Sequence, residues 1–306
     1  MAESPLLSIL IVNWNTRELL AQCLRSIYAT ADDLALEVVV VDNASSDGSV
    51  AMIRQHFPQV RLIANDANLG FARANNQAIA VSQGRYLLLL NSDTEVKPGA
   101  LQALVAFMDA HPEAGAVGGR LRFPDGRVQG SHGRLPTLLS EIVNTLGFVA
   151  WRSTSPADAE AAPDDRQAVE TEWLLGACLM VRREVVEQVG GLDEQFFIYS
   201  EEIDWCRRIR EAGWRVFYLP QAEVIHYWRG STRQRQAVMK AELYRSKLQY
   251  FRKHDGPWAA LALRGAVLIT SLGKSALYGL LALVQRHRRL QARMWWTVAR
   301  RMLRPA

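Results

Sequence analysis

Arg85-Tyr-Leu-Leu-Leu-Leu-Asn-Ser-Asp-Thr-Glu95 is the stretch that decides the fold, because an uninterrupted apolar run ends abruptly in a polar cluster. Apolar runs of this length are typical of parallel strands that are covered on both faces. Such strands bring the residues at their carboxyl ends into the crevice where open α/β sheets bind ligands. The sequence therefore predicts that Asn91, Ser92 and Asp93 lie in a ligand-binding crevice.

Asn91 and Asp93 offer an amide oxygen and a carboxylate on one side of a short turn. Oxygen ligands of this kind suit a hard divalent cation that keeps water and takes its remaining ligands from phosphates. Asn, Ser and Asp are also favoured in turns that bind nothing. This segment alone therefore leaves both interpretations open.

Strand and helix patterns alternate along the first 110 residues. Apolar runs predict strands at 7–12, 38–41, 60–64 and 86–90, and helical patterns lie at 19–27, 50–57, 71–81 and 98–108. Thr16 stands where the first helix would have its N-cap. The alternation predicts the α/β class with a doubly wound, mostly parallel sheet.

Three successive strands end in polar residues, namely Asn13 with Asn15, Asp42, and Asn91 with Asp93. Polar groups at the carboxyl ends of neighbouring strands form a nucleotide-sized pocket. The first strand is followed neither by Gly-x-Gly-x-x-Gly nor by a phosphate loop with Gly-Lys-Ser/Thr, which argues against dinucleotide enzymes and ordinary ATPases. Without a lysine-rich cradle a metal must neutralise the phosphates, and this favours the metal interpretation of Asp93.

Several motifs stand in a fixed order over about residues 6–232. They are Ile9-Leu-Ile-Val-Asn-Trp-Asn15, Val41-Asp-Asn-Ala-Ser-Ser-Asp-Gly-Ser49, Asn68-Leu-Gly-Phe-Ala-Arg-Ala-Asn-Asn76, Leu89-Leu-Asn-Ser-Asp-Thr94, Trp173-Leu-Leu-Gly-Ala-Cys-Leu-Met-Val-Arg182, Gly191-Leu-Asp-Glu-Gln-Phe-Phe-Ile-Tyr-Ser-Glu-Glu-Ile-Asp204 and His226-Tyr-Trp228. Together they resemble family 2 glycosyltransferases with the GT-A fold, and most closely the rhamnosyltransferase-like bacterial branch. The resemblance is specific for the family and weak for the substrate.

The resemblance implies a nucleotide-sugar donor site at the strand ends. Asp42 would hold the nucleobase, Arg73 would lie near the diphosphate, and Asp93 would bind the metal on the diphosphate. The expected donor-binding residues are Asn13, Asn15, Asp42, Asn68, Gly70, Arg73, Asn91 and Ser92. The family often has Asp where this chain has Asn91, so one formal charge is lost. As alternatives, Asp42 caps a turn and Arg73 is a solvated helix residue.

Three carboxylates crowd the first turn of a helix predicted after Ser200, where the helix dipole favours them: Glu201, Glu202 and Asp204. Helical spacing places Glu202 on an apolar face with Trp205, whereas Glu201 and Asp204 share a charged face. Burial against apolar groups raises the pKa of a carboxyl group towards a value useful for a general base. Glu202 is therefore the predicted base. The family usually has Asp at this position, so Glu201 and Asp204 remain alternatives.

The acceptor half supplies further candidates. The resemblance gives His226 the role of a second metal ligand, although a lone histidine is more often structural. Trp173, Tyr199 and Trp228 are candidates to stack on sugar faces, with core packing as the alternative. Gly176 and Ala177 are expected to form a small-residue floor that the acceptor approaches.

The implied reaction is an inverting sugar transfer that needs Mn²⁺ or Mg²⁺. The base deprotonates an acceptor hydroxyl, its oxygen displaces the nucleoside diphosphate, and the metal stabilises the charge on the leaving group. Rhamnose from dTDP-rhamnose and a lipid-linked glycan of the cell envelope are the expected donor and acceptor at the level of the branch. The alternatives are a sugar-nucleotide nucleotidyltransferase and a catalytically impaired membrane-bound scaffold.

Charge divides the chain at its C-terminal end. Residues 257–306 contain nine basic and no acidic residues, whereas residues 1–256 contain 27 basic and 31 acidic ones. This pattern indicates an anionic partner for the tail alone. Three scattered cysteines argue against a disulfide framework and fit a reducing compartment. We see no secretory signal at the N-terminus.

The tail predicts membrane attachment. Arg264 and Lys274 interrupt the apolar run 258–285, and a span at 265–285 would put the basic segment 286–304 on the far side, against the positive-inside tendency. One apolar face is predicted after residue 286: Leu290, Met294, Trp295, Val298 and Met302. It indicates an interfacial helix on anionic lipid, with docking on its own domain or on a second subunit as the alternative. Its tryptophans favour lipid over nucleic acid.

We therefore expect a catalytic domain at 1–232 and a helical, basic membrane-binding region at 233–306. The catalytic domain would consist of a nucleotide-sugar half at 1–120 and an acceptor half at 121–232. The acceptor half would carry an insertion at 135–171, with a mobile stretch at 153–165. The protein is expected to be peripheral on the cytoplasmic face of the bacterial inner membrane, with a homodimer as one option.

Overall fold

The computed structural model describes residues 4–147, 167–228 and 236–303. The chain forms two compact units, which restricted to these residues are 4–135, 167–194 and 201–228 for the first, and 136–147, 195–200 and 236–303 for the second. Apolar residues at helical spacing from Leu138 to Val149 predict a helix in the insertion. Val149 and the predicted mobile stretch 153–165 lie outside the described residues.

The elements of the described residues are, in chain order, β1 (Leu7–Asn13), α1 (Arg17–Thr30), β2 (Leu36–Asp42), α2 (Ser49–His56), β3 (Arg61–Ala64), α3 (Phe71–Val81), β4 (Tyr86–Leu90), β5 (Thr94–Val96), α4 (Ala100–Ala110), β6 (Ala114–Arg122), β7 (Val128–Gln129), β8 (His132–Gly133), α5 (Leu138–Leu146), β9 (Val169–Glu170), β10 (Trp173–Leu174), β11 (Cys178–Arg182), α6 (Arg183–Val189), α7 (Glu201–Glu211), β12 (Arg215–His226), α8 (Gln236–Asp255), α9 (Pro257–Leu281) and α10 (Arg288–Met302). α5, α8, α9 and α10 belong to the second unit.

Within the described ranges the first unit is built on one ten-stranded sheet. Its main path has the order β3-β2-β1-β4-β11-β6-β12-β5. β3, β2, β1 and β4 are parallel neighbours, β11 runs antiparallel between β4 and β6, and β12 is parallel to β6. The predicted doubly wound, mostly parallel sheet is confirmed. Asn13 pairs with Asp42 in the register of β1 and β2, so the ends of these strands are level.

The uninterrupted apolar run of β4 is explained by burial on both faces. Leu88 and Leu90 face a core cluster that contains Leu24 of α1, whereas Leu87 and Leu89 face a second cluster that contains Trp205 of α7. Because strand side chains alternate between faces, only a strand with two dry faces needs apolar residues at every position.

Two predicted elements differ in detail. The helix expected to begin at Pro98 begins at Ala100, after Gly99 in a left-handed conformation with φ 80°. The sequence also predicts short strands at 214–219 and 223–225, and the structure joins them into one strand, β12, with a register shift between Leu219 and Glu223. Proline cannot donate a ladder hydrogen bond, so the strand continues past Pro220 through an irregularity instead of ending there.

In the second unit α8, α9 and α10 pack on one another, and α5 packs on α9. Trp295, Val298 and Met302 are buried there. The lipid-facing role predicted for this face of α10 is therefore wrong for these three residues, because the helix docks on its own unit, which was the stated alternative. Leu290 on the same helix is exposed. Of the described helices, α9 is long and apolar enough to cross a membrane. Core helices of soluble proteins can have the same length and composition.

Candidate functional site

The ends of β1 and β2 are joined by a buried hydrogen-bond network. Asn13 Nδ2 donates to Asp42 Oδ2 at 2.7 Å, and Asp42 Oδ1 accepts from the backbone N–H of Ser45 at 2.8 Å. Both side chains are fully buried. The bond from Ser45 is the one expected if Asp42 caps the turn after β2, which is the alternative to nucleobase binding. Asn13 and Asp42 are thus joined at the level ends of their strands, and direct contact of Asp42 with a nucleobase stays a prediction.

The loops that follow β1 and β2 are joined by hydrogen bonds. Asn15 accepts from the backbone N–H of Ser46 through Oδ1 at 2.8 Å, and its own N–H donates to Ser45 Oγ at 2.9 Å. Asn15 and Ala44 both have positive φ, 54° and 61°. Left-handed backbone at non-glycine residues costs about 1–3 kcal/mol and concentrates at functional sites. Asn15 is among the residues predicted from the sequence, whereas Ser45 and Ala44 are not.

A second network fixes the loop before α3. Asn68 Oδ1 accepts from the N–H of Gly70 at 3.0 Å, and the carbonyl of Gly70 accepts from Asn43 Nδ2 at 3.1 Å. Asn43 in turn accepts from Asn65 Nδ2 at 2.9 Å. Asn68 and Gly70, both predicted donor-site residues, are therefore tied to the end of β2. Asn43 and Asn65 were missed, although Asn43 directly follows Asp42.

Thr16 connects the first loop to the end of β4. It occupies the predicted N-cap position, but its side chain makes no capping bond. Its hydroxyl donates to Asn13 Oδ1 at 2.6 Å and lies 2.8 Å from Ser92 Oγ. Because the single hydrogen of Thr16 is given to Asn13, Ser92 is the donor in the second contact. Ser92 thus connects the Asn91–Asp93 segment, through Thr16, to Asn13.

Asp93 and His226 meet at the carboxyl end of β4. β5 begins directly after Asp93 and pairs antiparallel with β12, so that Thr94 opposes His226. His226 Nε2 lies 3.3 Å from Asp93 Oδ1 and 3.3 Å from Asn91 Nδ2. Both Asp93 and His226 are buried. The structure thus brings the two predicted metal ligands together, with Asn91 as their neighbour.

The geometry of this pair fits a divalent cation. Two atoms bound at about 2.1 Å on neighbouring positions of an octahedral ion lie about 3 Å apart, close to the observed separation of Asp93 Oδ1 and His226 Nε2. Within the described residues no group of three or more His, Cys, Asp or Glu side chains could hold a metal alone. An ion here would take its further ligands from water or phosphate, as the Asn91-x-Asp93 pattern predicts.

The other ring nitrogen of His226 contacts Gln129. His226 Nδ1 lies 3.0 Å from Gln129 Oε1, and Gln129 is only 1% exposed. Gln129 is not among the residues predicted from the sequence. Its position in the two-residue strand β7 gives no periodic signal, and its contact with His226 depends on pairing across the sheet.

Glu201 and Glu202 are both buried at the start of α7, with 4% and 8% of their surface exposed. Burial raises the pKa of Glu202 to about 7. Burial, and after it the nearby Glu202, raises the pKa of Glu201 well above its usual value. Among the described residues neither Oε2 atom has a hydrogen-bond partner. Glu202 therefore has the environment predicted for a general base, but the predicted difference between its helical face and that of Glu201 is wrong, because both are buried.

Asp204 is different from the two glutamates. Its Oδ2 accepts from Arg208 Nε at 2.9 Å, and the Asp204 side chain is completely buried. The remaining guanidinium nitrogens of Arg208 donate to the carbonyls of Val189 and Gly191. This ion pair gives Asp204 a structural role between α6 and α7 and makes it the weakest of the three candidates for the base.

Gly176 and Ala177 lie close to both Glu202, the candidate base, and Asn91. The backbone N–H of Asn91 donates to the carbonyl of Ala177 at 3.1 Å. A Cβ atom built on Gly176 would lie 3.7 Å from Glu202 Cβ and 3.6 Å from Phe71 Cε1. These are ordinary contact distances, so the neighbouring side chains do not require glycine at position 176. Glu202 and Asn91 therefore border the same small-residue segment.

The remaining predicted residues lie in varied surroundings. Trp228 is 44% exposed and its ring meets His226 edge-on, with centroids 5.4 Å apart. Trp173 is partly buried and packs against the second core cluster, as the core-packing alternative holds. Arg73 is exposed, with Nε 3.9 Å from Glu194 Oε2. Tyr199 has φ 71° and belongs to the second unit, whereas the other site residues belong to the first.

A cavity of about 580 Å³ lies away from these residues. Residues that precede β1 and β4, such as Leu6 and Arg85, line it together with Arg182 and Arg183. Its arginines are held by neighbouring backbone: Arg182 donates to the carbonyl of Ala114 and Arg183 to that of Gly84. None of the predicted site residues lines this cavity, which lies at the amino end of the strands.

Comparison with known proteins gives one family. The family model described as Glycosyl transferase family 2 matches residues 8–190. The N-acetylglucosaminyl-diphospho-decaprenol L-rhamnosyltransferase of Mycobacterium tuberculosis (strain CDC 1551 / Oshkosh) is 33% identical over 260 residues, which are 79% of this chain and 84% of that protein. The rhamnosyltransferase WbbL of Escherichia coli (strain K12) is 26% identical over 226 residues, 72% of this chain and 82% of its own length.

Solved structures agree on the fold. The mannosyltransferase PcManGT from Pyrobaculum calidifontis, solved in complex with GDP-Man and Mn²⁺, superposes with a TM-score of 0.56. The alignment covers 99% of this chain and 88% of PcManGT at 19% sequence identity. At this identity the likeness concerns the fold alone, and it confirms the predicted GT-A architecture.

Proposed function

The chain belongs to glycosyl transferase family 2, and on that premise we propose that it is a metal-dependent inverting glycosyltransferase. It would move a sugar from a nucleotide donor to a lipid-linked glycan. The observation that carries this proposal is that the buried Glu202 and Asn91 border the same Gly176–Ala177 segment, and that Asn91 is in turn a neighbour of the Asp93–His226 pair. An acid-base group on one side and a cation site on the other are what a sugar transfer needs.

Asp93 and His226 would hold the divalent ion, Mn²⁺ or Mg²⁺. Bound there with a nucleoside diphosphate, the ion supplies charge stabilisation to the departing phosphate. Asn91 would contribute its amide to the diphosphate or to water, as the neutral counterpart of the family's usual first Asp. Arg73, exposed at the start of α3, would lie near the diphosphate.

Glu202 would remove the proton from the acceptor hydroxyl. The hydroxyl oxygen forms the new bond to the anomeric carbon, the bond to the diphosphate oxygen breaks, and the electron pair leaves with the nucleoside diphosphate. The proton stays on Glu202 until solvent accepts it. A pKa of about 7 suits a group that must be ionised before the reaction and protonated after it. A single displacement inverts the anomeric configuration.

Gly176, beside Glu202, would lie where the acceptor approaches. A Cβ atom at Gly176 would meet Glu202 Cβ at 3.7 Å, an ordinary contact distance, so packing alone does not require glycine at this position. Trp228, exposed beside His226, would stack on a sugar ring. The stacking role of Tyr199 stays a prediction from the sequence.

Rhamnose from dTDP-rhamnose is our first candidate for the donor, and a polyprenyl diphosphate that carries a sugar is our first candidate for the acceptor. Support comes from two relatives whose names state rhamnosyl transfer, one of them onto an N-acetylglucosaminyl-diphospho-decaprenol. The likeness covers most of both chains. On this proposal the protein serves the synthesis of a cell-envelope polysaccharide.

The outer face of α9 supports attachment to a membrane. Its large exposed residues are all apolar: Trp258, Leu261, Ile269, Leu272, Leu277, Leu280 and Leu281. Both charged residues of α9 are turned towards α10, since Arg264 Nε donates to the carbonyl of Met302 at 2.6 Å and Lys274 Nζ lies 4.6 Å from the ring centroid of Trp295. The two charges that interrupt the apolar run in the sequence therefore do not interrupt the outer surface.

We propose that α9 lies in the plane of the membrane surface. Its inner face packs on α8 and α10, which carry many charged side chains that a spanning helix would pull into hydrocarbon. Four arginines before and along α10 are exposed and would meet anionic headgroups: Arg286, Arg289, Arg293 and Arg300. The protein would then be peripheral on the cytoplasmic face of the bacterial inner membrane, with 1–232 catalytic and 233–306 membrane-binding.

The experiment that tests the function is a donor screen with the full-length chain. dTDP-rhamnose, UDP-N-acetylglucosamine and GDP-mannose are each incubated with an N-acetylglucosaminyl polyprenyl diphosphate, in Mn²⁺, in Mg²⁺ or in EDTA. We expect metal-dependent, acceptor-dependent release of dTDP and a glycolipid heavier by one deoxyhexose. Release of pyrophosphate from a sugar phosphate and a nucleoside triphosphate would establish the nucleotidyltransferase instead. If no donor is turned over and the protein still binds vesicles, the protein is a catalytically impaired membrane-bound scaffold.

A further inference from the structure

The side-chain amide of Gln129 is fully buried, and its hydrogen-bond partner is His226. Its Oε1 lies 3.0 Å from His226 Nδ1. Its Nε2 is buried and has no hydrogen-bond partner among the described residues. An unpaired buried donor is unfavourable, and an apolar side chain would satisfy the same position better for stability alone. The placement of Gln129 is therefore explained by what its oxygen does for His226.

The sheet fixes this contact. β7 pairs antiparallel with β6, and Gln129 opposes Leu121. β12 pairs with β6 on the other side, and Val224 is matched with the same Leu121. Gln129 thus reaches across β6 to His226, which lies two residues after Val224. A contact held by three neighbouring strands has little freedom to change its length or direction.

An amide oxygen can only accept a hydrogen bond, so Nδ1 of His226 must carry the hydrogen in this contact. Neutral imidazole then has its lone pair on Nε2. That atom lies 3.3 Å from Asp93 Oδ1 and 3.3 Å from the amide nitrogen of Asn91. The Asn91 amide is a donor and agrees with a lone pair on Nε2. Two lone pairs, on Nε2 and on the Asp93 carboxylate, then face the same small space, which suits a cation.

We propose that Gln129 is a positioning residue that holds His226 in the tautomer with the lone pair on Nε2, so that His226 and Asp93 are ready to bind a divalent ion. This inference rests on the proposed metal-dependent function. The partner of a metal-binding histidine on its other ring nitrogen commonly sets the tautomer and the ring direction. Here that partner is a neutral amide from another strand.

Turning the Gln129 amide round would reverse the hydrogen bonding of His226. If Gln129 Nε2 faced the ring, Nδ1 would be the acceptor and Nε2 of His226 would carry the hydrogen. That hydrogen would bond to Asp93, and the pair would be closed to a metal. Long-range ¹H–¹⁵N correlation spectra of the full-length protein, labelled with ¹⁵N-histidine and compared with His226→Gln, report which nitrogen carries the hydrogen.

The decisive variants are Gln129→Met, which keeps the length and removes the acceptor, and Gln129→Glu, which keeps an acceptor oxygen. Ser131→Ala is the matched control, because Ser131 is similarly buried on the same segment and its hydroxyl has no partner among the described residues. Mn²⁺ affinity is measured by electron paramagnetic resonance in the presence of dTDP. Thermal unfolding without metal shows whether each variant is folded.

We expect Gln129→Met to weaken Mn²⁺ binding by roughly 10- to 100-fold and to mix the two tautomers of His226. Gln129→Glu should recover most of the affinity, and Ser131→Ala should match the wild type. Equal Mn²⁺ affinity and an unchanged His226 spectrum in folded Gln129→Met would overturn this inference and leave the proposed function intact. Wild-type protein that binds no Mn²⁺ with dTDP and transfers no sugar would instead remove the proposed function.

Discussion

The carboxylate of Asp204 and the guanidinium of Arg208 meet at 2.9 Å on one face of α7, and Arg208 also holds two backbone carbonyls. The two glutamates that precede Asp204 have no such partner for their buried Oε2 atoms among the described residues. One helix turn thus contains a satisfied structural carboxylate and two unsatisfied ones. The consequences for stability and for transfer are separable.

Asp204→Ala should destabilise the protein strongly. Removing one member of a buried ion pair leaves the other charge unpaired, at a cost of about 3–5 kcal/mol. Urea unfolding followed by circular dichroism measures the change in the free energy of unfolding. Asp204→Asn, which keeps one acceptor oxygen, serves as the milder control. If Asp204→Ala unfolds like the wild type and is inactive, Asp204 and not Glu202 is the base.

Glu202→Gln should abolish transfer and spare donor binding. The amide keeps the shape of the carboxylate but cannot take a proton, and loss of a general base lowers rates by roughly 10²- to 10⁴-fold. Turnover is followed by glycolipid formation, and donor affinity by calorimetry with dTDP-rhamnose and Mn²⁺. Glu201→Gln is the matched comparison. Transfer at the wild-type rate by Glu202→Gln would assign the base to another carboxylate.

The wild-type rate should rise with pH through about 7 and then level off. As the proposed base, Glu202 would act in its ionised form, and burial raises its pKa to about 7, so acid solution should remove the active species. The measurement is kcat from pH 5.5 to 9 at saturating donor, acceptor and metal. A flat profile over this range would contradict the assignment of Glu202.

The same raised pKa predicts a stability effect. Between the usual carboxyl pKa, 4.5, and about 7, the unfolded state releases a proton that the folded state keeps, so stability falls as pH rises. Glu202→Gln does not ionise and should be more stable than the wild type above pH 7, by about 1–3 kcal/mol. Below pH 4.5 this advantage should disappear. Thermal melts at pH 4 and pH 8 test the difference.

Asp93→Ala should remove metal-dependent release of the nucleoside diphosphate. Loss of the carboxylate leaves His226 as the remaining protein ligand of the pair, and we expect a fall of roughly 100-fold or more in turnover. Asp93→Asn keeps the shape and loses the charge, so it separates electrostatics from packing. EDTA should bring the wild type to the same level. Turnover that is equal in EDTA and in Mn²⁺ would exclude a metal role for this pair.

Ile269→Glu combined with Leu272→Glu should weaken binding to vesicles. Both residues are exposed on α9, so the change places two carboxylates on the face proposed to enter the bilayer without disturbing the packed side. Sedimentation with vesicles of phosphatidylglycerol and phosphatidylethanolamine measures binding, and melting of the free protein checks the fold. The matched control is Leu139→Glu, which is exposed on α5. Unchanged sedimentation of the double variant would mean that α9 meets another partner.

Much of the fold follows from local pattern. β4 is apolar at every position because both of its faces are covered, and this run of apolar residues can be read directly from the sequence. The polar residues that end the strands, Asp42 and Asp93 among them, follow from the same reasoning. α10 shows the limit of local pattern. An apolar stripe states that a face is buried, but Trp295 packs on its own unit, and nothing in a stripe names the surface that covers it.

The candidate site was predictable where its residues sit in ordered motifs and not where it depends on distant pairing. Glu202 and His226 could be named from their motifs. Gln129 could not, because a two-residue strand has no periodicity and its contact crosses β6. Thr16 was placed correctly as the N-cap, yet its hydroxyl serves Asn13 and Ser92, since buried polar neighbours compete with the helix end for the same hydrogen.

The level ends of β1 and β2 decide where this chain tolerates changes in length. Asn13 stands beside Asp42 because every residue from Leu7 onward is in step with its neighbour from Leu36 onward. Inserting or deleting one residue inside either strand would turn the following side chains to the opposite face, and Asn13 would no longer stand beside Asp42. Insertions and deletions that keep the protein working should therefore fall in the connections, where an added residue leaves the strand ends aligned.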